Sequence, residues 1–250
     1  MKKLIAYSSV AHLGYVMLGL FAGTHASMQG ALLQMVNHGI STGALFLLVG
    51  VLYDRRHTRM IDEFGGIAKV MPWYAAIFVI VTMASIGVPG TNGFVGEFMI
   101  IMGTYSSQKL GKFAGIDAVL ASLGVILAAI YMLGVVQRVF FGPLKNAKNK
   151  YLPDLNTREI LALTPLVVMI FVIGLFPSLF LSRSSEAVSA LDQRNRLVWM
   201  ESQNLGDRPA TLLTNEDLAT EGGRIDKDLL AKLNLLDQGA PAAKSEEAAK

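Results

Sequence analysis

Five apolar stretches dominate this sequence, and each is long enough to cross a lipid bilayer. They run over Leu4–Phe21, Met28–Tyr53, Trp73–Tyr105, Ile116–Phe140 and Ile160–Leu181. A crossing takes about 20 mostly apolar residues to span roughly 30 Å of hydrocarbon. Lipid offers no partner to a free backbone N–H or C=O, so each stretch can cross only as a helix. The sequence therefore predicts an all-α, polytopic membrane protein of about five transmembrane helices, lodged in the lipid bilayer. Charge divides the chain in two. Residues 1–182 hold 13 Lys/Arg against 7 Asp/Glu, and residues 183–250 hold 9 against 12, which predicts a membrane domain followed by a polar tail. The basic surplus belongs to membrane loops and gives no reason to expect nucleic acid. With no cysteine, a disulfide framework, a thiolate metal site and an iron–sulfur cluster are excluded.

Lys/Arg bias sets the orientation. Lys2, Lys3, Arg55, Arg56, Arg59, Lys69, Arg138, Lys145, Lys148, Lys150 and Arg158 fall on one side, and only Lys109 and Lys112 occupy the loops of the other. The positive-inside rule places the first group in the cytoplasm, and five crossings then put the tail on the opposite face. Met1-Lys-Lys, the apolar run and the small residues about Ala22–Ala26 imitate a secretory signal. A polar Tyr7-Ser-Ser, His12 and four further spans favour a first membrane helix instead. Weak amphipathic spacing marks Ser184–Asn204, Leu212–Leu236 reads as a surface helix, and Gly239–Lys250 has a disordered composition. The chain has no nucleotide loop, no metal-ligand spacing and no Gly-x-Ser-x-Gly elbow. Spaced glycines at Gly14/Gly19 and Gly39/Gly43/Gly50 predict close helix packing.

A charge in hydrocarbon costs several kcal/mol, so an ionisable residue inside a span is a functional candidate by default. His12, His38 and Glu97 meet that condition. Glu97 follows Val88-Pro-Gly-Thr-Asn-Gly-Phe-Val-Gly96, inside an apolar run far longer than one bilayer crossing needs. The economical solution is a discontinuous helix, broken near Pro89, whose unwound backbone lines protein or water. A carboxyl placed there, in contact with water, can take up and release a proton. Gln34, His38 and Ser41/Thr42 recur at helical spacing and form one polar face, and an imidazole passes protons between its two nitrogens. Ser8 precedes His12 by one turn on the same face. Structural ion pairing of Glu97, and single interhelical hydrogen bonds from His38 and His12, are the alternatives that the residues leave open.

Four blocks resemble a known family. They are Lys2-Lys3-Leu-Ile-Ala-Tyr-Ser-Ser-Val-Ala-His12-Leu-Gly, Leu33-Gln-Met-Val-Asn-His38-Gly-Ile-Ser-Thr-Gly-Ala-Leu-Phe, Leu52-Tyr-Asp-Arg-Arg-His-Thr-Arg59 and Gly87-Val-Pro-Gly-Thr-Asn-Gly-Phe-Val-Gly-Glu97-Phe. The family is that of the antiporter-like membrane subunits of proton-pumping NADH:quinone oxidoreductase, complex I. Resemblance runs from Lys2 to about Pro177 and covers only the C-terminal helices of the family pattern, which implies a fragment or a split reading frame. It implies a row of buried Lys, His and Glu that carries protons along a hydrated path. Glu97 matches the glutamate of a discontinuous helix near the exit of that path. His38 and His12 match histidines of the two preceding helices, His38 nearer the central axis, and Lys2 matches a basic residue at a cytoplasmic helix end.

The implied function is proton translocation in the bacterial plasma (inner) membrane, with Glu97, His38 and His12 as the relay. No cofactor is expected in this chain. NADH, flavin, iron–sulfur clusters and quinone are expected in partner subunits, and the direct partners are other membrane subunits, antiporter-like neighbours among them. A subunit of a multi-component Na⁺/H⁺ antiporter or membrane-bound hydrogenase shares these motifs. A non-conducting assembly scaffold is the alternative from a different class.

Overall fold

The computed structural model of the chain describes residues 1–144 and 146–202, and those residues are helical with no strand. Helix α1 is Lys2–Ala22, α2 is His25–Arg56, α3 is Pro72–Ile86, α4 is Asn92–Tyr105, α5 is Ala114–Phe140, α6 is Thr157–Leu175 and α7 is Ser178–Ser202. Four of them, α1, α2, α5 and α6, are long and apolar enough to cross a membrane singly. The long Trp73–Tyr105 run is divided between the shorter helices α3 and α4, with the break near Pro89 that the sequence predicts. One compact unit covers Met1–Val188. The second begins at Ser189, and of it only the end of α7 is described. The surface helix expected over Leu212–Leu236 and the disordered end at Gly239–Lys250 lie outside the described residues.

Each helix boundary has a local cause. Gly23 closes α1 in the left-handed region, and Thr24 opens α2 through a reciprocal capping box with Ser27. Pro72 occupies the first turn of α3, where its missing N–H costs nothing. At the other end of α3 the N–H of Val88 bonds to Met83 O at 3.2 Å and that of Gly87 to Ala84 O at 3.3 Å. This is a Schellman stop, and it needs the left-handed φ of 80° that Gly87 supplies. A turn then closes from Thr91 N to Val88 O at 3.1 Å, with Gly90 at φ 89°, before α4 starts at Asn92.

The last span is shorter than the sequence suggests. Helix α6 ends at Leu175 rather than Leu181, because Pro177 has no N–H to extend the ladder and Phe176 leaves helical geometry at φ −126° and ψ 56°. Helix α7 takes up the residues that follow and contains the amphipathic spacing seen from Ser184 onward.

Helix α2 is the centre of the bundle, packed most extensively on α4 and α1. Close approach comes from Gly19 on α1, Gly30 on α2, and Gly96 and Gly103 on α4, where an added Cβ would strike the neighbouring helix. The expectation for Gly14, Gly39, Gly43 and Gly50 is corrected: among the described residues nothing lies within 4 Å of a Cβ at any of them. Spacing on one helix does not reveal which face its neighbour takes. An aromatic group locks α3 to α5, with Phe78 and Phe140 ring centroids 4.7 Å apart and Tyr74 5.7 Å from Phe140. The Tyr74 hydroxyl donates to Leu48 O of α2 at 2.9 Å.

The two charged connections meet at the Lys/Arg-rich end. Arg55 clamps both carboxylate oxygens of Glu159 at 2.8 and 2.7 Å and also donates to the carbonyls of Pro153 and Asp154. Asp154 accepts from Trp73 N and Tyr74 N at 2.9 and 3.0 Å, and so caps α3 from the loop before α6. Removal of that cap by Asp154→Ala is expected to cost about 1 kcal/mol. Glu159→Ala loses both the partly exposed clamp and the α6 capping box and is expected to cost about 2 kcal/mol. Thermal unfolding of the detergent-solubilised protein checks both, with the lower midpoint expected for Glu159→Ala.

Candidate functional site

The polar residues of α2 recur at i, i+3 and i+7, so Gln34, Asn37 and Ser41 line one face and turn it towards α4. The Asn37 amide donates to Asn92 O at 2.7 Å, and the Asn92 side chain meets the Ser41 hydroxyl at 3.2 Å. These bonds hold the first turn of α4, directly after the break. Gly93 lets that turn rest on the last turn of α3, since a Cβ there would run into the Ala84 carbonyl.

Glu97 lies one turn further along α4 and is 4% exposed. Its Oε1 is 3.0 Å from His12 Nδ1 and accepts from Gln34 Nε2 at 3.2 Å. Its Oε2 lies against Gly87, where a Cβ would come within 2.6 Å of it. The carboxyl therefore touches α1, α2 and the end of α3 from its seat on α4. His12 is 6% exposed, and its second nitrogen, Nε2, is 3.3 Å from the Ser85 hydroxyl of α3. The His38 ring centroid is 5.5 Å from that of His12, and His38 Nδ1 is 3.1 Å from the Thr42 hydroxyl.

All three residues singled out in the sequence are thus brought together. They follow one another in space: His12 is the enclosed histidine in direct contact with Glu97, and His38 is half-buried one ring further out. A cavity of about 10 Å³, space for about one water, opens between the two rings and is walled by Gln34, Asn37, Ser41, Thr42 and Ser85. Sequence reading missed Asn37, Ser85 and Asn92. Asn37 carried a signal, three residues after Gln34 and four before Ser41 on the same stripe. Ser85 carried none, because a single serine in an apolar helix commonly bonds its own backbone.

Chemically, the site is a hydrogen-bonded carboxyl–imidazole pair. A carboxyl and an imidazole in such contact can share a proton, and an imidazole can pass one on through its second nitrogen, which in His12 faces the Ser85 hydroxyl. Among the described residues no group of three or more His, Asp or Glu side chains is placed to hold a metal ion. Gly96 fixes the pair from behind: a Cβ there would overlap Gln34 Oε1 and come within 3.1 Å of Asn37 Nδ2.

These features define a multi-pass helical membrane protein organised around a discontinuous helix with a protonatable pair at the break. Residues 1–121 match the family described as NADH:quinone oxidoreductase/Mrp antiporter, transmembrane. NADH-quinone oxidoreductase subunit M of Rhodobacter capsulatus is 47% identical over 193 residues, 77% of this chain and 36% of that protein. A chain of respiratory complex I from Thermus thermophilus superposes with a TM-score of 0.67 at 34% identity, covering 76% of this chain and 39% of its own. A chain of the Mrp complex from Dietzia sp. shares the fold at a TM-score of 0.65 and 20% identity, over 75% of this chain and 42% of its own. The chain spans little more than a third of the curated relative it matches.

Gly96→Ala is expected to displace Gln34 from Glu97 and to push α2 and α4 apart, at a cost of about 2 kcal/mol for an overpacked seam. The lower thermal midpoint of the solubilised protein checks this, with Gln34→Ala as the comparison that loses the hydrogen bond without the clash.

Proposed function

We propose that the chain forms part of a proton-translocating membrane subunit of an NADH:quinone oxidoreductase, with Glu97, His12 and His38 as its relay. The observation that carries this reading is the Glu97–His12 contact of 3.0 Å beside a helix break, with His38 next in line across a water-sized cavity. A carboxylate buried among helices persists only if its charge is compensated, and here the compensating group is itself a proton carrier.

Transfer runs in short steps. With the proton on His12, Glu97 is a carboxylate held by an imidazolium and by the Gln34 amide. With it on Glu97, both groups are neutral. A charge appearing on a neighbouring subunit shifts the balance between those states, because Coulomb interactions act over long distances where the surroundings are poorly polarisable. His38 passes a proton through one water to His12 Nε2, and His12 hands the proton on its Nδ1 to Glu97 on the exit side. Electron transfer occurs elsewhere in this reading. The NADH, flavin, iron–sulfur and quinone sites belong to partner subunits in the bacterial inner membrane, and the neighbours of this chain are other antiporter-like subunits.

The decisive substitution is Glu97→Gln, which keeps size and a hydrogen-bonding oxygen but holds no transferable acid proton. In the intact complex, proton uptake coupled to NADH oxidation is expected to fall by about a hundredfold, the lower end of what a positioned acid–base group contributes. Near-normal pumping per NADH oxidised would remove Glu97 from the relay. Intact transport in the His38→Ala/Glu97→Ala double variant, with normal assembly, would replace the relay by a scaffold. The match of residues 1–121 to a family whose description includes the Mrp antiporter favours cation–proton exchange as a second reading. A Na⁺ gradient built by membranes carrying the native chain, and absent with Glu97→Gln, would establish it.

A further inference from the structure

Asn37 of α2 is 1% exposed, and its neighbours fix which way its amide faces. Glu97 Oε1 accepts from Gln34 Nε2 at 3.2 Å, so the Gln34 oxygen is turned to Asn37 and accepts from its Nδ2 at 3.4 Å. The same Nδ2 donates at 2.7 Å to the backbone carbonyl of Asn92, which has no hydrogen to give in return. The nitrogen is therefore committed, and the amide cannot be turned end for end. Its other end, Oδ1, is a buried acceptor with no hydrogen-bonding partner among the described residues.

An unpaired buried acceptor is costly, and proteins commonly satisfy one with an ordered water. Asn37 lines the cavity of about 10 Å³ beside His12 and His38, together with Ser41, Thr42 and Ser85. That is room for about one water, within walls polar enough to hold it. His12 Nδ1 faces Glu97 and His38 Nδ1 faces the Thr42 hydroxyl, so the ε nitrogens are the ones available to a water between the rings. Of these, His12 Nε2 meets the Ser85 hydroxyl at 3.3 Å, a long contact for a hydroxyl donor.

On these observations, and resting on the proton-translocating reading above, we infer that Asn37 is the positioning residue of the His38-to-His12 step: its Oδ1 holds one hydrogen of a single water and so fixes how that water faces the two rings. An amide oxygen only accepts. It takes one water hydrogen, leaves the other for His12 Nε2 and turns a lone pair towards His38. In transfer, the proton leaves the His38 imidazolium for that lone pair, and the hydrogen facing His12 moves to Nε2. The hydrogen on Asn37 stays where it is, and the regenerated water resets by turning about that bond. The Gln34 link adds a condition. Hydrogen bonds in a chain polarise one another, so a carboxylate at Glu97 makes Asn37 Oδ1 a stronger acceptor than a neutral carboxyl does. The water is thus most ready to take a proton from His38 when Glu97 is empty.

A density map of the intact complex, at a resolution that shows buried waters, tests the site without any substitution. One water peak is expected within about 3 Å of both Asn37 Oδ1 and His12 Nε2. No peak there, with other buried waters visible, would overturn the inference. Asn37→Leu keeps the size of the side chain and removes the acceptor. In the assembled complex, proton uptake coupled to NADH oxidation is expected to fall by about a hundredfold, the scale of a lost alignment. The solvent deuterium isotope effect on the remaining uptake is expected to rise, because the proton step itself becomes limiting. Asn37 also anchors Asn92, and loss of that anchor alone would lower uptake with an unchanged isotope effect. That result, or uptake at the native rate, would overturn the positioning role. The water peak is read with Glu97 in place, so failure of the Glu97→Gln test and failure of the water site are separate results.

Discussion

A membrane interior will not hydrate a broken helix or an isolated carboxylate, and this bundle is built around meeting both demands at one place. The break between α3 and α4 leaves backbone groups without helical partners. The Schellman bonds at Gly87 and Val88, the turn at Thr91 and the side-chain amide of Asn37 take them up. Each of those partners also positions Glu97. The same backbone that stops α3 at Gly87 lies against one carboxylate oxygen, and the stripe that anchors Asn92 supplies Gln34 to the other. Structural repair and the candidate chemistry thus share atoms.

This sharing explains why the position of Glu97 is so constrained. It touches three other helices from α4, and glycines at 87, 93 and 96 keep the surrounding backbone close. In a low-dielectric site, small displacements change the energy of a charged pair more than they do in water. A relay needs close distances, and here they come from backbone packing more than from long, mobile side chains.

Much of this was legible in the sequence, for specific reasons. The Trp73–Tyr105 run was too long for one crossing and carried Pro89 with two flanking glycines, so the discontinuous helix could be read from length and local chemistry alone. His12, His38 and Glu97 stood out because ionisable groups in apolar runs are costly. What could not be read was partner choice across helices. Gly14, Gly39, Gly43 and Gly50 have the spacing of packing glycines, yet Gly30, Gly96 and Gly103 form the tight seam. The direct contact of His12 with Glu97 also joins residues 85 apart, and no local pattern encodes that separation.

The Asp154 cap on α3 has a mechanical consequence. Helix α3 is a rod of 15 residues, about 22 Å long. One end is gripped by a carboxylate from the loop before α6, and Ser85 and Gly87 stand at the other, against His12 and Glu97. The rod transmits axial displacement with little give, since every interior peptide is bonded along its length. The loop at the basic end and the second nitrogen of His12, deep in the bundle, are therefore tied to opposite ends of one hydrogen-bonded rod.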